Sequence, residues 1–117
     1  VKELNQVNIS EDEMAILRQG FYQVVNGNGQ FNTGSAIGQG ASVTISAKTG
    51  TAETYTTTPS GEVVTAVNTN VVAYAPSDNP QIAVSVVLPN LTNQSSMTTK
   101  TIMREIINLY QSMYPMN

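Results

Sequence analysis

The chain has 117 residues, enough for one domain or part of one, with five basic against eight acidic residues and a net charge of −3. It has no Cys and no His, which excludes disulfides, thiolate or imidazole metal sites, a Cys nucleophile and a His-dependent triad. No basic face for nucleic acid, no apolar run near the roughly 20 residues of a membrane span and no signal-peptide pattern are present. Charged residues make up 11% of the chain, against roughly 25% in ordinary globular domains, and Thr, Asn, Ser, Gln and Gly supply the polarity.

The chain opens Val1-Lys2-Glu3 rather than with Met, and is read as cut from a longer protein. Ser10 followed by Glu13 is a capping box, and the acids at 11–13 suit the positive end of a helix. Met14, Leu17, Phe21, Val24 and Val25 then recur at helical spacing until Asn26-Gly27-Asn28-Gly29 ends the run. Residues 32–41 are rich in Gly and Ser without periodicity and are predicted to be a loop. From Ser42, Val43, Ile45 and Ala47 alternate with polar residues, as in a strand, running into Lys48-Thr49-Gly50-Thr51. Thr54 to Gly61 is predicted to be a turn or extended loop, and Val67 to Ala75 a second strand. Pro76-Ser77-Asp78-Asn79-Pro80 is a turn signal between that strand and Ile82–Leu88, so the two should form an antiparallel hairpin. The near-continuous apolar run 82–88 predicts a central strand buried on both faces, with a neighbour beyond its free edge that this sequence does not contain. A last helix is predicted over about 98–114, with Ile102, Ile106, Leu109 and Met113 on one face and Pro115 as its stop. There is no internal repeat.

Lys48-Thr49-Gly50 carries the chemistry. Lys-Thr-Gly is one of three motifs of the serine acyl-transferases that react with penicillin. Lys48 supplies a positive charge, and Gly50 removes a side chain so that a peptide can add alongside the strand. Thr49 and Thr51 offer hydroxyls to a carboxylate, and the Thr51 N–H can point at a developing oxyanion. A chance triplet is expected in about a few per cent of chains of this length at average residue usage. Its place at a strand end, before a hairpin and a closing helix, gives it weight. Neither of the other two motifs, the nucleophile motif Ser-x-x-Lys and the Ser-x-Asn motif, is read in this chain, so the nucleophile is expected outside it.

The resemblance extends well past the triplet. Lys48-Thr49-Gly50-Thr51-Ala52-Glu53, the run Asn68 to Pro76 and the run Asn79 to Val87 resemble class B penicillin-binding proteins, the monofunctional peptidoglycan transpeptidases, and most of all the elongation-type enzymes of Gram-positive bacteria. The resemblance implies an α/β (α+β) penicillin-recognising fold, shared with β-lactamases. In it a five-stranded antiparallel sheet packs between helices and the Lys-Thr-Gly strand is an edge strand. Residues 1–117 would be the C-terminal portion of that single domain and contribute three strands. It implies a serine acyl-enzyme that takes the D-Ala-D-Ala end of a stem peptide, releases D-Ala and passes the acyl group to an amine in cell-wall synthesis. β-Lactam antibiotics would be trapped there, with consequences for resistance and cell shape. Carried over by position, Lys48 and Thr51 are catalytic, and Lys48, Thr49, Gly50 and Thr51 bind substrate; no metal or other cofactor is expected. The N-terminal remainder of the same protein would carry Ser-x-x-Lys and Ser-x-Asn. The parent protein would sit on the extracytoplasmic face of the membrane, anchored by an N-terminal helix absent here. The family often has Gly where this chain has Ala47, and that methyl is expected to crowd the strand.

Four further readings stay open. Glu53 is a candidate base, though a solvated carboxylate is the commoner case, and Tyr55 is a candidate for the cleft mouth. Asn68 and Asn70 are expected to bond to a loop more than to substrate. A β-lactamase, a non-catalytic β-lactam sensor of the same fold and an unrelated interaction domain are the alternatives in function.

Overall fold

The computed structural model describes residues 5–93 and 95–116. Helix α1 spans Glu11–Asn26, a short α2 spans Ser35–Gly38, strands β1, β2 and β3 span Ser46–Thr57, Val63–Ala75 and Ile82–Leu91, and α3 spans Met97–Met113. The strands form one antiparallel sheet in the order β1-β2-β3, so β1 is an edge. The capping box at the start of α1 is complete: Ser10 N–H donates to Glu13 Oε2 at 2.8 Å and Glu13 N–H to Ser10 Oγ at 3.2 Å.

The β1–β2 hairpin is longer than its sequence suggests. Residues 54–57, predicted to be loop, pair with 63–66. The turn is confined to 58–62, where Glu62 O accepts from Thr58 N–H and Gly61, at φ +87°, provides the left-handed corner. Thr is β-branched and favours a pleated surface; Pro59, Ser60 and Gly61 alone break the ladder. The β2–β3 hairpin turns where the Pro-Ser-Asp-Asn-Pro run places it.

Helix α3 covers the sheet face formed by Thr69, Val71, Ala73 and Val86. Thr99, Met103 and Ile107 are its buried line, and Thr99 shares a hydroxyl hydrogen bond with Thr69. The predicted stripe therefore needs correction: Ile106, Leu109 and Met113 are exposed, Leu109 by 62%. The apolar arc of α3 is wider than one line, and three strands cover only the 99/103/107 side. Strand β3 is corrected in the same way. Val86 is buried and Ile82 and Val84 partly so, whereas Ala83, Ser85 and Val87 are open, giving alternation rather than burial on both faces.

Helix α1 lies on the opposite face, where Phe21 meets Tyr74 edge-on at 6.2 Å. The segment predicted to be loop, 32–41, is tightly tied and contains α2. Gly34 N–H donates to Val24 O at 2.8 Å, Arg104 Nη1 to Gln39 O at 2.8 Å, and Asn108 Nδ2 to Gly40 O at 3.0 Å. Asn108 Oδ1 in turn accepts from Ser42 N–H at 2.8 Å. Arg104 and Asn108 sit one turn apart on α3, so their spacing on that helix fixes the segment; a local sequence reading cannot see this.

Candidate active site

Positions 48–51 lie in the first half of β1, not at a strand end as expected, because the strand begins only at Ser46 and runs on to Thr57. On the sheet edge away from β2, alternate backbone N–H and C=O groups have no strand partner among the described residues. Their opposite numbers on β2 are Val72, Val71, Asn70 and Thr69. The pleat divides them. Lys48 and Gly50 face the α1 side with Ser46; Thr49 and Thr51 face the α3 side with Ala47. A site built from all four must therefore wrap around the strand edge, and an edge strand permits that.

Lys48 is exposed, and its ammonium donates to the neighbouring Thr49 carbonyl at 2.5 Å. Its stem borders an open groove of about 520 Å³ walled by Ile16, Leu17, Gly20, Phe21 and Val24 of α1. An apolar wall along the aliphatic stem with the charge left in water is the usual way a Lys is aimed. Thr51 is exposed, and Thr49 is half-buried with its hydroxyl 2.8 Å from that of Thr33.

The space left by the missing Gly50 side chain is already occupied. A Cβ at this position would come within 3.0 Å of Asn70 Cγ and closer still to the amide oxygen. The Asn70 amide occupies the space beside the motif glycine, so the absent side chain makes room first for a neighbour in the same sheet. Spacing along the sequence gives no hint of this; only the hairpin register sets Asn70 opposite Gly50. Thr33 was equally unmarked, lying in a Gly-rich segment with no pattern.

The Ala47 methyl does not disturb the motif. It is fully buried in the core, and the β1–β2 register runs through it without a break. Asn68 bonds to the neighbouring strand rather than to the expected loop: its amide oxygen accepts from Asn90 N–H, near the end of β3, at 2.9 Å beside the register shift between β2 and β3. Glu53 and Tyr55 are exposed farther along β1, Tyr55 by 73%. The triplet Ser77-Asp78-Asn79 has the letters of Ser-x-Asn, so the expectation that the pattern lies wholly elsewhere does not hold for the letters. It sits in the β2–β3 turn, where Ser77 N–H donates to Thr44 O and the Ser77 hydroxyl accepts from Ser46 Oγ, both at 2.9 Å. That hydroxyl fastens the turn to the start of β1. Among the described residues no cluster of acidic side chains could hold a metal ion.

A family model described as the penicillin binding protein transpeptidase domain matches residues 1–108. The chain is 56% identical over 115 residues to penicillin-binding protein 2B of Streptococcus pneumoniae, covering 98% of this chain and 16% of that protein. It is 38% identical over 114 residues to penicillin-binding protein 2A of Bacillus subtilis, covering 92% and 15%. The solved structure of penicillin-binding protein 2B from S. pneumoniae strain R6 superposes with a TM-score of 0.88 at 56% identity, covering 99% of this chain and 18% of that one. The chain thus spans about a sixth of the length of these relatives. The Lys-Thr-Gly edge strand, the strands that follow it and the helices on either side agree with that relationship: the chain belongs to the penicillin-binding protein transpeptidase family, in its class B branch with relatives in Gram-positive bacteria.

Proposed function

We propose that this chain is the C-terminal portion of the transpeptidase domain of a peptidoglycan D,D-transpeptidase, forming one wall of its active site. The observation that carries the reading is the exposed edge strand bearing Lys48, Gly50 and Thr51, in a chain 56% identical over nearly its whole length to a penicillin-binding protein. A serine carried by the rest of the protein attacks the carbonyl carbon between the two terminal D-Ala residues of a stem peptide. The peptide C–N bond breaks, D-Ala leaves with a proton on its nitrogen, and the acyl group passes from the serine ester to an amine of a second stem. A β-lactam enters the same path, but its ring-opened leaving group stays attached.

In this reading the stem peptide runs along the free edge of β1 as an added strand. The Thr51 N–H donates to the oxyanion as the tetrahedral intermediate forms. The terminal carboxylate is held by the Lys48 charge and by the hydroxyls of Thr51 and Thr49; Thr51 is the more accessible of the two. The parent protein works outside the cytoplasm, held to the membrane by a segment beyond this one; no helix among the described residues is long and apolar enough to cross a membrane.

The test uses the complete enzyme. Thr51→Val removes a hydroxyl and keeps the N–H, so the oxyanion hole survives while the carboxylate loses one hydrogen bond. A bond to a charged group contributes about 1.5–3 kcal/mol, so acylation by a penicillin should slow by roughly 10- to 150-fold. Lys48→Ala should slow it further. Both losses should shrink for the methyl ester of the same penicillin. Equal slowing of acid and ester by Thr51→Val would remove the assigned role.

A further inference from the structure

Thr33 and Thr49 stand hydroxyl to hydroxyl at 2.8 Å, a good distance for an O–H···O bond. We infer that Thr33 is a positioning residue for carboxylate recognition: its hydroxyl donates to Thr49 Oγ1 and so turns the Thr49 proton toward the bound anion. The inference rests on the carboxylate-binding reading of β1.

The argument is one of proton supply. A threonine hydroxyl has one hydrogen and two lone pairs, and a carboxylate can only accept. If Thr49 is to hold a carboxylate, its single hydrogen must point there, and any other bond it makes must be one it accepts. Thr33 is the group in place to give that bond. The chain Thr33→Thr49→carboxylate then runs in one direction, and each bond polarises the next. With Thr33 as acceptor, the Thr49 proton would point back into the fold and the carboxylate would meet only lone pairs.

Thr33 is held independently of the motif strand. Its own N–H donates to Phe31 O at 2.8 Å, and the next residue, Gly34, donates to Val24 O at 2.8 Å. Gly34 is buried and packs so closely on α1 that a Cβ there would lie 3.0 Å from both Val24 O and Val24 Cγ1. The segment that carries Thr33 is thus pressed onto the C-terminal turn of α1, and α3 holds it from the other side through Arg104 and Gln39 O. This anchoring fixes the donor before any ligand arrives, as a preorganised site requires.

The experiment measures second-order acylation of the complete enzyme by a penicillin as the free acid and as its methyl ester. Thr33→Val keeps the shape and removes the hydroxyl; it should slow the acid about 3- to 10-fold and the ester less. Thr33→Ser returns the hydroxyl and should restore the acid rate. In the double variant Thr33→Val/Thr49→Val, the Thr33 change should add almost nothing to the Thr49 loss, because the two act as one chain. Equal slowing of acid and ester, no slowing at all, failure of Thr33→Ser to rescue, or full additivity with Thr49→Val each overturns the inference. Thr51→Val keeps the two readings apart. If it discriminates acid from ester while Thr33→Val does not, the relay falls and the carboxylate site stands; if neither discriminates, both fall.

Discussion

On the α3 face of the sheet, Val71, Ala73 and Val86 meet Met103 and Ile107, and these side chains are buried. On the α1 face, Val72 and Val87 remain 47% and 59% exposed, and α1 itself leaves Ile16 70% exposed. The closed face is a finished core, while the open face is an apolar surface of a kind that normally marks a contact still to be made. The motif strand lies along the border between them. Ala47 roots it in the closed core, while Lys48, one residue on, points to the open side. This lets a strand be held firmly from one side and still offer an edge and a groove on the other.

Substitutions on the two sides of α3 should test that contrast most strongly. Met103→Ala removes a fully buried side chain and should cost the complete protein about 2–5 kcal/mol in chemical denaturation. Leu109→Ala, in the same helix but exposed, should cost clearly less. Near-equal losses would mean that the exposed line of α3 is covered by another part of the protein, and the contrast would then belong to this segment alone.

Gly50→Ala comes next in size. The new methyl must displace the Asn70 amide, an overpacking that should cost about 1–3 kcal/mol. Asn70→Gly in the same protein should recover most of that stability. Recovery of stability without recovery of acylation would separate two demands on this glycine, one from the fold and one from the substrate.

The open face should drive association when the 117-residue chain is prepared alone, because β3 has a free edge beside Val87 and Ala83. Replacing Val72 and Val87 together by Thr keeps β-branching and lowers the apolar surface. The expected result is a larger monomer fraction by sedimentation or light scattering; an unchanged aggregate would place the sticky surface elsewhere.

The smallest effect is expected at the far end of α1. The Ser10 backbone N–H, then its hydroxyl, holds the Glu13 carboxyl below its ordinary pKa. A lowered folded-state value means that the contribution is present above the unfolded pKa and lost as pH falls through the folded one. Wild type should therefore exceed Glu13→Gln in stability at neutral pH, and the gap should close on acidification through the carboxylate range. A gap that widened towards acid would contradict the capping role.

Much of this is legible in the sequence. The capping box of α1, the β2–β3 turn and the final helix are written in local sequence, because caps, turns and period-3.6 patterns act over a few residues. The Lys-Thr-Gly strand was legible only in part, since it begins at Ser46 rather than Ser42 and the motif lies near its start rather than at its end. The family resemblance was legible too, since it rests on runs of adjacent residues. What the sequence could not determine depends on which residues meet across the fold. The buried line of α3 was chosen by the width of the sheet beneath it, and β3 kept one face open because nothing among the described residues covers it. The order of segment 32–41 came from Arg104 and Asn108, more than 60 positions away. At the site, only the hairpin register could lay Asn70 over Gly50, and only the packing of Gly34 on Val24 could bring Thr33 to Thr49. Local propensity chooses the elements, whereas the two contacts that shape the motif are made by residues from other elements, and tertiary packing alone brings them there.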